Sequence, residues 1–411
     1  MEIVGVETLL ASEYGNLVWV RLHTDEGVLG LGETFRNAEA TVAYIHETCA
    51  PYLLGKDPTH REKLMHAIGR RIGNHFNGFP GRSVEIRGNS AIDMALWDLC
   101  GKAFGQPIHR LLGGPFRAEC RIYNTCASSA YNNRARAGYN TELLSRDDPR
   151  PSSIGANEDL LMQVYEPARL ARELLEAGIT GMKIWPFDVF ALRKGGAEIS
   201  TADLRKAIWP IEEIRKAVGD AIDIMIEYHG LWQLPAALKI ADALADFDIY
   251  WHEEPIWMQN FDDVARYRDR VTAQVAGSEN LGTLPWYRET FARGAVDVAN
   301  FDIAWVGGIS EAQRIAHLAM AFDRTIAPHD CTGPVTLLAN VHLLAALPNG
   351  LIAETVRAHT EGFYQTIVTA LPPIRRGMIS PTETPGIGAD LSPEFLARPD
   401  INRRLTGRSA A

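Results

Sequence analysis

Five cysteines, Cys49, Cys100, Cys120, Cys126 and Cys331, are all that the 411 residues carry. They show no CxxC pair and no framework spacing, so they read as small apolar residues buried in a reducing compartment. Basic residues are also scarce. Lys and Arg number 41 against 51 Asp and Glu, a formal charge of −10 with no dense Lys/Arg stripe, which argues against nucleic acid and anionic membranes as partners. Such a chain does not attract an anionic substrate from afar, so binding one requires a local metal ion or local Lys and Arg. Long apolar runs are missing as well: no stretch reaches about 18 residues, and the opening MEIVGVETLL lacks a basic lead and a cleavable apolar run. A cytoplasmic protein is the expectation. The hydrophobic fraction of 46% suits a sizeable core, and the length suits one small domain plus one large barrel, or two to three ordinary domains.

The chain is organised around residues 223–280. DIMIEYHG, IYWHEEP and QVAGSEN are short apolar runs that end in carboxylates: Glu227, Glu253 with Glu254, and Glu279. Residues 233–247 and 262–270 between them carry helical spacing. Strand, helix, strand in alternation is the pattern of parallel βαβ units, which places the three acidic ends side by side. Neighbouring strands lie about 4.8 Å apart, so three adjacent tips span about 10 Å, within reach of one cation. Carboxylates without cysteine suit Mg²⁺ better than Zn²⁺. The plain alternative is solvated glutamates on loops.

Ahead of this stretch, residues 1–35 read as an antiparallel meander, with Val18, Val20 and Leu22 on one face and Gly27, Gly30 and Gly32 as turn glycines. Residues 40–54, 58–72 and 84–104 carry helical spacing, with Asp93 and Asp98 on the solvated or capping side of the last. Residues 74–82 form a Gly/Asn/Pro loop. Beyond Pro115 the expected strands are 121–126, 182–185, 222–228, 249–253, 274–278, 299–305, 324–327 and 351–355. Helices over 166–178, 202–218, 233–247, 262–270, 285–293, 310–323 and 334–347 fill the gaps. From the third strand onward this is the period of a (β/α)₈ barrel, but with no eighth helix. The predicted fold is an α+β domain over 1–115, a modified TIM barrel, (β/α)7β, over 116–360, and an extended tail over 361–411 that runs back to the first domain. Nearly forty polar residues, 127–165, leave the first barrel strand toward its C-terminal face. So long a connection is functional or disordered; its Arg134, Arg136 and Arg146 either hold carboxylates or are solvated.

Residues two apart on a strand share a face. Glu227 and His229 therefore point together into the barrel mouth if the strand persists, and so do Lys183 and Trp185. Asp302 near the end of strand six and His329 after strand seven form a carboxylate–imidazole pair, which fixes one tautomer and raises its basicity. Glu354 ends strand eight.

These motifs together resemble the mandelate racemase branch of the enolase superfamily over almost the whole chain: the meander and helices as a capping domain, the incomplete barrel, E-x-P at Glu253-Glu254-Pro255, GSEN, and the Asp302/His329 pair. The resemblance implies Mg²⁺ held by Glu227, Glu253 and Glu279, the first more often Asp in the family, with Glu253 chosen over Glu254 because the family ligand stands two before the proline. It implies His329 as the base, and Lys183 with a protonated Glu354 around an enediolate. Where racemases of this branch carry K-x-K, the chain has Lys183-Ile184-Trp185, which argues against 1,1-proton transfer. Glu227-x-His229 instead resembles the Asp-x-His of galactonate dehydratase-type acid sugar dehydratases, with His229 as the acid that expels the β-hydroxyl. A sugar acid substrate, a 2-keto-3-deoxy acid product and a homo-oligomer, dimer or octamer, are the corresponding expectations. The competing readings are a racemase or epimerase of a 2-hydroxy acid, and a degenerate barrel used for binding.

Overall fold

A computed structural model describes residues 1–70, 83–132 and 145–409. β1 (Ile3–Ala11), β2 (Leu17–Thr24) and β3 (Leu29–Phe35) form the antiparallel meander. Val18, Val20 and Leu22 face one way, into a cluster with Ile92, Leu96 and Leu99 of the helix Val84–Phe104. Leu17 and Trp19 face the other way, into the main core. Both faces of β2 are therefore buried, because the meander lies between its own helices and the barrel.

Gly30 and Gly32 are not turn glycines. They sit within β3, where an added Cβ would stand 2.3 Å from the Ala95 carbonyl oxygen and 1.9 Å from that of Ala91. They permit close approach of strand and helix; only Gly27, with φ 79°, turns the chain. Asp93 and Asp98 are not solvated either. Both are fully buried. Asp93 accepts from the Ser310 amide and hydroxyl across the domain boundary, and Asp98 accepts from the Leu31 and Ile387 amides and from Lys102 Nζ at 2.6 Å. Their i, i+5 spacing hid this, since each pins a different neighbour to the helix. The expected helix over 40–54 is continuous in space but changes pitch, as Ala38–Tyr44, a π-helical Ile45–Cys49 and Ala50–Leu53.

Eight parallel strands follow: β4 (Cys120–Thr125), β5 (Gly181–Ile184), β6 (Asp223–Glu227), β7 (Ile249–Glu253), β8 (Gln274–Gly277), β9 (Val298–Ala299), β10 (Thr325–Ile326) and β11 (Ala353–Thr355). β11 pairs with β4, and an Ile326–Gly350 bridge closes the ring. Helices occupy the seven crossovers, so the barrel is the predicted (β/α)7β. Strand six departs from expectation. It ends at Ala299, because Asp302 caps the short helix Ile303–Val306 by accepting from the Ala304 amide. The tail is only partly extended, with turns of helix at His359–Phe363 and Tyr364–Ile367. Its last strand, Ile401–Gly407, does return to pair with β1.

Within residues 127–165, the stretch 133–144, with Arg134 and Arg136, lies outside the described residues, as does the loop 74–82. Among the described residues Arg146 holds no carboxylate: its guanidinium lies 3.7 Å from the Trp209 ring centroid. The end of the connection is the helix Asp159–Tyr165. No helix among the described residues is long and apolar enough to cross a membrane.

The barrel interior explains where charge must sit. Tyr123, Met225, Trp251, Ala276, Val298, Ala327 and Ile352 form one apolar layer. Two residues on, these strands and the segments that continue them carry Thr125, Glu227, Glu253, His329 and Glu354, with Lys183 on β5. The period of two turns these onto the same inward face. The apolar plug is thus followed, toward the C-terminal mouth, by a layer that is almost wholly polar.

Candidate active site

Three carboxylates and one ammonium share that layer, and a fourth carboxylate, Glu279, reaches it from the end of β8. Lys183 Nζ lies 2.7 Å from Glu253 Oε1, 2.9 Å from Glu354 Oε1 and 3.4 Å from Glu227 Oε2, all of them buried. Glu227, Glu253 and Glu279 each bring one oxygen to within 4.8 Å of the others. Each is aimed by hydrogen bonds. The Tyr228 and His229 amides donate to Glu227 Oε1, the Trp251 indole to Glu253 Oε2, and the Asn280 amide group to Glu279 Oε1. Glu254 turns away and accepts from the Ser278 hydroxyl at 2.6 Å. The ambiguity between Glu253 and Glu254 is thereby a matter of strand parity: only the former faces inward.

The electrostatics of this group are unbalanced. Burial, then repulsion from Glu253, holds the Glu227 carboxyl well above its usual range. Burial acts the same way on Glu279, but the imidazole of His329 outweighs it and holds Glu279 below that range. Burial would lower Lys183, yet Glu253 and Glu354 keep it well above its ordinary value. Four carboxylates thus face one lysine and one imidazole, a deficit that a divalent cation would cancel. All-oxygen donors in a closed, buried arrangement suit a hard cation, so the residues present fit one.

His329 stands beside this group. Its Nδ1 donates to Asp302 Oδ2 at 2.8 Å and its Nε2 lies 3.0 Å from Glu279 Oε2. Asp302 is itself held by the Ala304 amide and the Thr332 hydroxyl. Burial works against protonation of His329, but Glu279 and Glu354 raise it well above its ordinary value.

His229 reaches the site by another route than expected. The strand stops at Glu227, and His229 has φ 48°. This left-handed turn sends its Nδ1 to Asp188 Oδ2 at 2.5 Å, with the ring edge-on to Trp185. Burial opposes its protonation; Asp188 overcomes that and raises it. Asp188 was missed in the sequence. It lies in WPFD, three residues past Trp185, where a carboxylate just beyond a strand end was the available signal.

Glu354 closes the layer. Its two oxygens take Lys183 Nζ, the Asp330 amide at 2.8 Å and the Thr125 hydroxyl. Burial pushes the group up, but Lys183 and then His329 pull it below its usual range. Its oxygens thus face three donors in this structure. Trp305, 5.0 Å from the His329 ring and covered by the Arg87 guanidinium at 4.6 Å, walls the base on the cap side. Nothing in the sequence pattern singles these two out.

A capped barrel with seven helical crossovers, whose buried charges gather at the C-terminal strand ends, has the build of a TIM-barrel enzyme. Residues 8–113 match the family profile for the mandelate racemase/muconate lactonizing enzyme N-terminal domain, and residues 166–395 match that of the enolase C-terminal domain-like family. The chain belongs to the mandelate racemase/muconate lactonizing enzyme branch of the enolase superfamily. An enolase of the mandelate racemase subgroup from Agrobacterium tumefaciens is 41% identical, with a TM-score of 0.86 and 99% of each chain covered. An enolase protein from Sargasso Sea environmental sequencing is 35% identical, with a TM-score of 0.85 and the same coverage. D-xylonate dehydratase of Haloferax volcanii is 26% identical over 95% of this chain and 87% of its own length. D-galactonate dehydratase of Ralstonia nicotianae is 27% identical over 91% of this chain and 88% of its own.

Proposed function

We propose that the chain is a Mg²⁺-dependent acid sugar dehydratase, acting on an aldonate or aldarate to give a 2-keto-3-deoxy acid. The observation that carries this is the pair of histidines, each backed by a carboxylate: His329 on Asp302 and His229 on Asp188. Glu279 lies close enough to both for its charge to act on each. Dehydration needs a base at the α carbon and an acid at the β-hydroxyl. Relatives named as sugar acid dehydratases support the same chemistry.

Glu227, Glu253 and Glu279 would hold the Mg²⁺, which as a Lewis acid lowers the cost of the second negative charge that α-deprotonation places on a carboxylate. His329 Nε2 takes the α proton, while Asp302 keeps Nδ1 protonated and the ring aimed. Lys183 Nζ, already ringed by carboxylates, gives the enediolate a fixed positive neighbour. His229 delivers its proton to the departing hydroxyl, and Asp188 keeps that proton available. Trp185 takes the place of a second lysine and carries no proton, so this chain's own residues favour loss of water over return of a proton to the opposite face. The protein is further proposed to be a homo-oligomer, which mass in solution will test. Purified protein with Mg²⁺, screened against an acid sugar library, should release 2-keto acid from one substrate group. Exchange of the α proton without any keto acid across the library would overturn the assignment in favour of isomerisation.

A further inference from the structure

The mechanism uses none of the five buried cysteines, and one of them, Cys331, adjoins the site. Cys331 lies two residues beyond His329, on the segment that continues from β10. Strand-type bonding runs on past the assigned strand, with the Ala327 amide donating to the Ala299 carbonyl and the His329 amide to that of Phe301. Ala327, His329 and Cys331 thus follow one another along one face. The next strand brings Glu354, tied to this segment by the Asp330 amide at 2.8 Å. His329, Cys331 and Glu354 are all buried, and each brings one donor atom to within 4.8 Å of the other two.

We propose that His329, Cys331 and Glu354 form a second cation site, suited to Zn²⁺ and distinct in chemistry from the carboxylate group beside it. The first group offers hard oxygens alone. This one offers nitrogen, sulfur and oxygen, the mixed set that a borderline-soft, four-coordinate ion takes, with the fourth place left to water or substrate. The dyad assists it. Nδ1–H is committed to Asp302 Oδ2, so Nε2 is the nitrogen left to meet an ion, and it must give up its contact with Glu279 Oε2 at 3.0 Å to complete the carboxylate–histidine–metal relay that orients ligating imidazoles. Zinc–donor bonds of about 2.0–2.3 Å require the three side chains to close further around the ion. Binding exchanges the Sγ–H proton to solvent for a sulfur–metal bond, with no change of oxidation state. Burial holds this thiol proton at a pKa of about 12, so the metal and not the protein must drive its loss. The consequence is inhibitory: a cation on Nε2 removes the lone pair that takes the α proton, an effect that rests on the dehydratase reading, whereas the binding does not.

Co²⁺, which reports thiolate ligation by its near-ultraviolet charge-transfer band, is the probe. Metal-stripped protein saturated with Mg²⁺ is titrated with Co²⁺, then with Zn²⁺. One equivalent of Co²⁺ should raise the thiolate band, and one equivalent of Zn²⁺ should remove it. The band should be missing in both Cys331→Ser and Cys331→Ala. Chelator competition should show Zn²⁺ binding at least tenfold weaker in each variant and insensitive to Mg²⁺ in wild type. No thiolate band in wild type overturns the proposal without recourse to any variant. So does a band that survives in both variants, or Zn²⁺ binding that Mg²⁺ displaces in proportion. In turnover, Zn²⁺ should inhibit wild type at saturating Mg²⁺ and spare Cys331→Ala; absence of turnover with any sugar acid would count against the dehydratase reading and leave the spectroscopic result to decide this one.

Discussion

His229 Nδ1 lies 2.5 Å from Asp188 Oδ2, and the contact exists only because His229 leaves the strand with a positive φ. Had the strand continued, the imidazole would have followed Glu227 inward. The left-handed turn instead gives it a carboxylate of its own. Two imidazoles of one site thereby acquire separate partners, Asp302 for His329 and Asp188 for His229.

Asp188→Asn should therefore affect the acid without touching the base. The carboxylate raises the pKa of His229, so its removal brings that pKa down and empties the protonated form at lower pH. The alkaline limb of the kcat profile should move toward acid. At neutral pH, turnover should fall about tenfold for every pH unit that this limb moves. A uniform loss of rate with an unmoved alkaline limb would assign Asp188 a merely structural part.

Metal binding should reverse an internal strain. Glu227 is held well above its usual range by burial and by Glu253, so the metal-free cluster opposes folding. Metal-free Glu227→Gln should melt at or above the temperature of metal-free wild type, since Oε1 keeps its two amide donors. Mg²⁺ at a hundred times its Kd should add about 2.7 kcal/mol to wild type and far less to the variant. Equal Mg²⁺ stabilisation of the two proteins would remove Glu227 from the ligand set.

The barrel and its strand ends were legible because the apolar runs are short, recur at an even spacing and stop at charged residues. Strand parity then places Glu227, Glu253, Lys183, His329 and Glu354 on one face. What stayed hidden depends on contacts between distant elements. Gly30 and Gly32 look like turn glycines until the helix carrying Ala91 and Ala95 lies on them. Asp93 and Asp98 look solvated until Ser310, Leu31 and Ile387 supply their donors. The donors around Glu354, Lys183 among them, were hidden for the same reason, since they come from separate strands and loops.

Gly32→Ala tests the close approach. Its Cβ would meet the Ala91 carbonyl oxygen at 1.9 Å, and neither backbone can yield without separating β3 from the helix. A loss of about 1–3 kcal/mol or more, typical of overpacking, is expected in urea unfolding. A neutral result would show that the cap tolerates that separation.

Acid sensitivity should come partly from two histidines outside the site. Burial lowers His342 and His359 to about 4, below an unfolded value of about 6.5. Between those values the unfolded chain binds protons that the native one does not, so stability is complete above about 6.5 and falls as pH drops toward about 4. His359→Gln, which can still donate to the Ser128 carbonyl, should flatten that fall in thermal melts between pH 7 and 5. Glu33 works in the opposite direction. Burial raises its carboxyl to about 7, so its share of stability declines as pH rises from about 4.5, and its effect must be separated by comparing the variant with wild type at each pH.

The two active-site histidines should separate in a deuterium experiment. His329→Asn removes the base, so both keto acid formation and exchange of the α proton with solvent should stop. His229→Asn removes the acid that acts after the α carbon–hydrogen bond is broken. Keto acid formation should then fall by about 10² to 10⁴, the usual range for a lost general acid. Exchange can continue, because the enediolate still forms and returns its proton through His329, provided that proton swaps with solvent before it goes back. The measurements are keto acid release and deuterium at the α carbon of recovered substrate, with Mg²⁺ saturating in each case. Exchange without release in His229→Asn is the expected pattern. Full keto acid turnover by that variant would take His229 out of the mechanism and leave water, or His329 itself, to expel the hydroxyl.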